Sequence, residues 1–266
     1  MTSWDRFAAR DLRSIASAIR DGRLAVQPVA LALRSFCQPD LAEWLAGTLG
    51  QMQASASTLA GWMELLAAER DRVAIARSAI DLVWTGPEVE GMHNRETGAV
   101  VRELFGSAKQ SVLVVGYAIH QGKEVFAGLA ASLDRDPNLE VRMVVDIQRA
   151  WGDTTLERDL VARFAHDFRR EQWPGARLPA VFYDPRSLAL ELDQRSSMHA
   201  KCVVVDKSVA LVTSANFTAA AQQRNFELGL LVRDAELAVA VWEHFDALVR
   251  AGVLRPLTLV GGRSHG

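Results

Sequence analysis

The chain opens on a helical pattern. From Arg6 to Arg20, apolar residues recur at helical spacing (Phe7, Leu12, Ile15, Ala16, Ile19) until Asp21-Gly22 stops the run. Asp40 is placed to cap a short helix with Leu41, Trp44 and Leu45 turned inward. Ser57 or Thr58 starts a longer helix with Trp62, Leu65 and Leu66 on one face, and the periodicity through Val73, Ile75, Ile80 and Val83 predicts helix as far as Trp84. Residues 1–84 thus read as an all-helical N-terminal region, a cap or dimerisation element rather than the seat of chemistry. Thr85-Gly86-Pro87 breaks the pattern.

Beyond it the periodicity switches between helix and strand. A helix over 97–109 precedes the apolar run Val112–Ala118, which ends at Tyr117-Ala118. A helix over 123–133 precedes the strand Val141–Asp146. A helix over 155–170, with Leu156, Leu160, Phe164 and Phe168 in step, precedes the strand Ala180–Tyr183. Two further apolar runs, Cys202–Val205 and Val209–Val212, are parted only by Asp206-Lys207-Ser208 and predict a buried β-hairpin with a tight turn. A strand over 226–232 and a helix over 235–248 follow. Alternation with apolar strands predicts an α/β domain over residues 85–255, with a β-sheet flanked by helices on both faces. The hairpin makes that sheet mixed. Residues 256–266, ending in Gly261-Gly262-Arg263-Ser264-His265-Gly266, read as a flexible tail.

Composition narrows the classes. A hydrophobic fraction of 49% with 23% charged residues is that of an ordinary soluble globular protein. The net charge of −2 argues neither for nor against nucleic acid. Two cysteines, Cys37 and Cys202, make no disulfide framework and fit a reduced, cytoplasmic chain. The first residues build no signal peptide, and no apolar run reaches the ~18 residues of a membrane span.

The hairpin also carries the candidate chemistry. His199 and Lys201, two apart, point to one side of a strand, and Ser214 and Asn216 leave the second strand at the same end. A titratable ring, a fixed positive charge, a hydroxyl and an amide meet at one mouth, which is what a phosphate needs. Asp206, an odd number of residues from His199, faces away by parity. It either holds the turn or a neighbouring basic group, or takes a direct part in the chemistry. Tyr117 ends a strand that should lie beside the hairpin, and either lines the cleft or packs in the core. Cys202 points away from His199 and reads as a buried small residue. His93, His120, His166, His244 and His265 read as ordinary surface or core residues.

The pattern His199-x-Lys201-x4-Asp206, then Ser214-x-Asn216, then Glu227, resembles the signature of the phospholipase D superfamily; Thr213 stands where the family usually has Gly. The resemblance covers roughly residues 85–255. Trp84-Thr85-Gly86-Pro87 followed by Arg95-Glu96-Thr97 resembles, more narrowly, the lead-in of the phospholipase D-like proteins of the DISARM antiphage system. That loop either touches substrate or packs the helical region against the second domain.

The resemblance implies a phospholipase D-like fold and phosphodiester chemistry. His199 would be the nucleophile, forming a phosphohistidine, and Glu227 would fix its tautomer. Lys201 and Asn216, with Ser214 alongside, would meet the phosphate oxygens, so the scheme needs no metal and no cofactor. The family's second His comes from a second copy of the motif. This chain has one copy, so the resemblance implies a homodimer in which two subunits share one site. With no amphipathic membrane-binding stretch, stable membrane association is not expected. The leading function is a metal-independent nuclease acting on DNA or RNA in antiphage defence, with other defence-system proteins as further partners. A non-catalytic subunit that holds a nucleic-acid backbone and a lipid-directed phospholipase are the alternatives.

Overall fold

The computed structural model describes residues 3–87 and 94–259. The chain divides into two compact units, Met1–Ser78 and Ala79–Gly266.

The first unit is helical: α1 (Ala9–Arg20), α2 (Ala30–Leu33), α3 (Pro39–Gly50) and α4 (Ala56–Ser78). Leu12, Ile15 and Ile19 of α1, Leu45 and Leu49 of α3, and Leu59 and Met63 of α4 form its core. Asp40 lies inside the first turn of α3, whose cap position is Gln38, and its carboxylate accepts from Arg6 at 2.5 Å. The helix-starting oxygen of α4 belongs to Ser55, which accepts from the Thr58 N–H. Trp62 and Leu65 are exposed, and the inward stripe is Leu59, Ala60, Met63 and Ala67.

In the second unit the expected helix through Trp84 is corrected. Ile80–Thr85 is strand β1, paired antiparallel with a late strand so that Leu82 faces Leu230 and Thr85 faces Glu227. Ile80 and Val83 fit a helical period, but Val83 and Thr85 also alternate with the less buried Leu82 and Trp84, and the long-range pairing decides.

The chain continues through β2 (Arg95–Glu96), α5 (Thr97–Ser107), β3 (Ser111–Gly116), β4 (Ile119–His120), α6 (Gly122–Val125), α7 (Ala127–Arg135), β5 (Glu140–Val145) and α8 (Glu157–Asp167). It ends with β6 (Ala180–Tyr183), β7 (Cys202–Val205), β8 (Val209–Thr213), β9 (Phe217–Thr218), α9 (Ala219–Gln223), β10 (Glu227–Val232), α10 (Ala235–Arg250) and β11 (Arg255–Pro256). Among the described residues the main sheet runs β11-β6-β5-β3-β7-β8-β10-β1-β2. β3, β5 and β6 are parallel, whereas β7, β8 and β10 run antiparallel to their neighbours, so the sheet is mixed as expected.

One face of the sheet, through Val114, Met143, Val203 and Leu211, packs under Val101, Phe105, Leu129 and Phe168 of the helical layer. The other, through Leu113, Val115, Val204 and Ala210, packs on Ala238 and Trp242 of α10. The tail expected from residue 256 is ordered at its start: Pro256 pairs with Phe182, Leu257 N–H donates to Val181 O at 2.7 Å, and Leu257 and Leu259 are buried. Residues 260–266 lie outside the described residues, as does His93.

Candidate active site

The hairpin is built as its pattern predicts. Val203 faces Leu211 and Val205 faces Val209 across a turn in which Asp206 and Lys207 both take positive φ (50° and 51°) and Ser208 N–H donates to Val205 O at 3.0 Å. This two-residue left-handed geometry matches the twist of the flanking strands. Asp206 sits at this turn, at the opposite end of β7 from His199. Its carboxylate accepts from the backbone N–H groups of Lys109, Gln110 and Ser111 at 2.7–3.2 Å. It ties the hairpin turn to the start of β3.

At the other end the site residues gather. His199 is exposed, and its ring centre lies 5.1 Å from that of Tyr117. Lys201 is 7% exposed. Its ammonium lies 5.3 Å from the Tyr117 ring centre and donates to His199 O at 2.8 Å. Burial pushes the Lys201 pKa below its ordinary 10.5, against the pull of the Glu227 charge. Tyr117 therefore lines the mouth, in contact with both motif side chains.

Glu227, first residue of β10, accepts from Ser214 Oγ at 2.5 Å and from Asn225 Nδ2 at 3.1 Å. Ser214 Oγ in turn accepts from Leu228 N–H at 3.1 Å. The Ser214 hydroxyl is thus committed to Glu227, and among the described residues the His199 ring makes no hydrogen bond to that carboxylate. Asn216 is half-buried, and its Oδ1 is buried with no hydrogen-bond partner among the described residues. A half-turn of the amide exchanges that acceptor for the donor N–H2 group, so this side chain can present either to a ligand.

Local packing explains why these residues meet. β9 pairs with β4, joining the strand after Asn216 to the strand after Tyr117. Phe217 closes on Gly116 so tightly that a Cβ there would lie 2.5 Å from its ring. Thr213, where glycine was expected from the resemblance, faces Gly229, and a Cβ on Gly229 would lie 2.9 Å from Thr213 Cβ. The small residue of this pair is Gly229, on the opposite strand. Cys202 is buried and its thiol is pushed up to about 12 by burial, which leaves it unreactive.

Sequence reasoning missed how the approach to His199 is held. Asp146 and Asp184 directly follow the parallel strands β5 and β6, at the carboxyl ends where sites in such sheets form. Asp146 accepts from Met198 N–H at 2.9 Å, and Asp184 accepts from Ser196 Oγ at 2.7 Å. Burial alone would raise the Asp184 pKa, but hydrogen bonds from Arg186 and Ser196 hold it below the ordinary carboxylate value. The signal was present: an acidic residue follows two of the three parallel apolar runs, β5 and β6. The lead-in residues are also structural. Thr85 and Thr97 share a buried hydrogen bond at 2.7 Å, Glu96 caps α5 through Gly98 N–H and Ala99 N–H, and Arg95 pairs with Asp81. Among the described residues no group of three or more His, Cys, Asp or Glu side chains is placed to hold a metal.

At this end of the hairpin Tyr117 touches both His199 and Lys201, and Glu227 holds Ser214. The family model for the cardiolipin synthase phospholipase D-like domain matches residues 101–249. That is over half of the chain, which belongs to the phospholipase D-like family.

The DISARM protein DrmC of Bacillus paralicheniformis is 26% identical over 164 residues, covering 61% of this chain and 60% of that protein. The chain therefore spans about three-fifths of that relative's length. Among solved structures, Nuc of Salmonella typhimurium, a phospholipase D family member, is 21% identical. It covers 66% of this chain and 96% of its own, with a TM-score of 0.43. NucT of Helicobacter pylori is 14% identical over 64% of this chain and 95% of its own, TM-score 0.42. Phosphatidylserine synthase of Haemophilus influenzae is 14% identical over 79% of this chain and 49% of its own, TM-score 0.44.

Proposed function

We propose that the chain is a metal-independent phosphodiesterase of nuclease type, acting on DNA or RNA in antiphage defence through a site completed by a second copy of itself. The observation that carries this reading is the cluster of His199, Lys201 and Tyr117 at the open end of the hairpin, beside the Ser214–Glu227 pair. The similarity to the DISARM protein supports the defence context.

In the first step a ring nitrogen of His199 attacks phosphorus, the P–N bond forms, and the bond to the leaving oxygen breaks. That oxygen takes a proton from the partner's His199. In the second step the partner's His199, now neutral, takes a proton from water. The water oxygen attacks phosphorus and releases His199. Lys201 and Asn216 meet the charge on the non-bridging oxygens. Glu227 orients His199 once the ring turns toward it, and Ser214 holds that carboxylate in reserve.

Cleavage of labelled oligonucleotide in EDTA tests the reaction: activity is expected to persist, and loss on chelation overturns the metal-free reading. Mixing tests the shared site. With wild type and His199→Ala exchanged freely, activity should fall as the square of the wild-type fraction. A linear fall places the acid within one chain. His120, exposed on β4 and paired with Thr218 beyond Asn216, is then the candidate.

A further inference from the structure

Along the segment that leads into His199 lies a cleft of about 670 Å³ whose walls are the turn around Trp151 and the segment from Leu190 to Arg195. Trp151 is 85% exposed, and Leu190 and Leu192 opposite it are exposed as well. The walls are nonetheless firmly held. Arg149, 7% exposed, donates to the carbonyls of Leu188, Asp153 and Thr155 at 2.6–2.9 Å. Arg195 donates to Ala189 O at 2.8 Å and to Arg149 O at 3.1 Å, stapling one wall to the other. Burying a guanidinium to fix a loop whose tip is a bare indole makes sense when the indole meets a ligand.

The wall runs directly into the active site. From Arg195 the chain passes Ser196 and Met198, pinned by Asp184 and Asp146, and reaches His199. Four residues span at most about 14 Å, so the cleft is within reach of a nucleotide flanking the scissile phosphate.

Charge decides what enters. Asp153, Glu191 and Asp193 line the cleft against the single guanidinium of Arg195, which is spent on carbonyls. Hydrogen bonds from Thr155 hold the Asp153 carboxyl below its ordinary pKa, so it stays ionised. Such a rim repels phosphates and anionic lipid surfaces. Carboxylates do accept from the exocyclic amino groups of bases. An indole on one wall, two leucines on the other and an acceptor rim fit a flat heterocycle carrying N–H donors.

From this we infer that the Trp151 cleft is a nucleobase subsite, in which a base of single-stranded nucleic acid stacks on the indole while its phosphate lies at His199 and Lys201. A paired base presents no free face, so the subsite selects single strands over duplex. The inference rests on the phosphodiesterase reading for the position of the phosphate, and its test separates the two.

The wild type is compared with Trp151→Ala and Trp151→Phe on a single-stranded oligonucleotide and on the same strand with abasic sites. Wild type should prefer the base-bearing strand, and Trp151→Ala should reduce that preference roughly 5- to 150-fold, the range of one base–aromatic stack. Trp151→Phe should restore part of it. Equal cleavage of base-bearing and abasic strands by wild type, or an unchanged preference in Trp151→Ala, overturns the subsite. Should no strand be cut at all, the catalytic reading fails alone, and binding to the His199→Ala protein decides the subsite. Quenching of indole fluorescence by single-stranded DNA that is lost in Trp151→Phe supports it, and quenching that persists, or no quenching at all, overturns it. Both variants should fold, because the Trp151 side chain is almost wholly in solvent.

Discussion

The two ends of the hairpin β7–β8 are made from the same kinds of residue and do opposite things. At the turn, Asp206 has every reason to be still: three backbone N–H groups point at its carboxylate, and the left-handed turn is closed by its own hydrogen bond. At the mouth, His199 is exposed, Lys201 is buried against one carbonyl and the Tyr117 ring, and Asn216 keeps a buried oxygen with no hydrogen-bond partner among the described residues. A buried polar group without a partner lowers stability unless a ligand supplies one. The turn end satisfies its polar groups within the fold, and the mouth leaves an acceptor open.

If that division is right, substitutions at the two ends should separate activity from stability. The largest effect is expected from His199→Ala. Oligonucleotide cleavage should fall roughly 10⁴-fold, the scale of removing a nucleophile that also serves as acid and base, while the melting temperature stays put because the ring is exposed. A fall in both would merge the two ends.

Lys201→Met comes next, with cleavage lower by about 10²- to 10³-fold, as for loss of a donor to a charged transition state. Stability should hold or rise, since a desolvated charge is replaced by an apolar chain of similar length. The pH dependence has a defined sign. The folded protein binds this proton less tightly than the unfolded chain, so wild-type stability should increase as pH climbs through the lowered pKa toward 10.5. Activity should decline over the same window as the ammonium is lost. Lys201→Met should lack the stability increment, and denaturant titrations at several alkaline pH values measure it.

Asp206→Ala is the mirror image. Losing a carboxylate that accepts from three N–H groups should lower stability by about 2–3 kcal/mol, with cleavage per folded molecule preserved. Asp206→Asn keeps one acceptor and tolerates positive φ, so it should fall between. A large kcat loss in Asp206→Asn at unchanged melting temperature would return this residue to the chemistry.

This contrast also explains what could be read in advance. The hairpin was legible because two apolar runs and a three-residue break leave few alternatives, whereas His199 and Lys201, expected on the strand itself, come just before its first residue, Cys202. Strand β1 was not legible: Ile80 and Val83 fit the helical period, Val83 and Thr85 the strand period, and only pairing with β10, far along the chain, makes the segment a strand. The Ser214–Glu227 hydrogen bond and the grip of Asp146 and Asp184 on the His199 approach depend on how strand ends come together in space, which spacing along one strand does not encode.

The smallest effect, and the sharpest test of the mouth, comes from Tyr117. Its ring faces the Lys201 ammonium at 5.3 Å and lies beside His199, so it steadies a buried cation without a formal charge. A cation–π contact of this kind is worth about 0.5–1 kcal/mol. Tyr117→Phe keeps the ring face and should leave cleavage within roughly twofold of wild type. Tyr117→Leu removes the face at similar bulk and should slow cleavage by roughly 2- to 5-fold, the same energy expressed as a rate. The loss should appear in kcat and deepen with rising pH, because a cation deprived of its ring gives up its proton earlier. An equal loss in Tyr117→Phe and Tyr117→Leu would mean that the hydroxyl, and not the ring, is what the mouth uses.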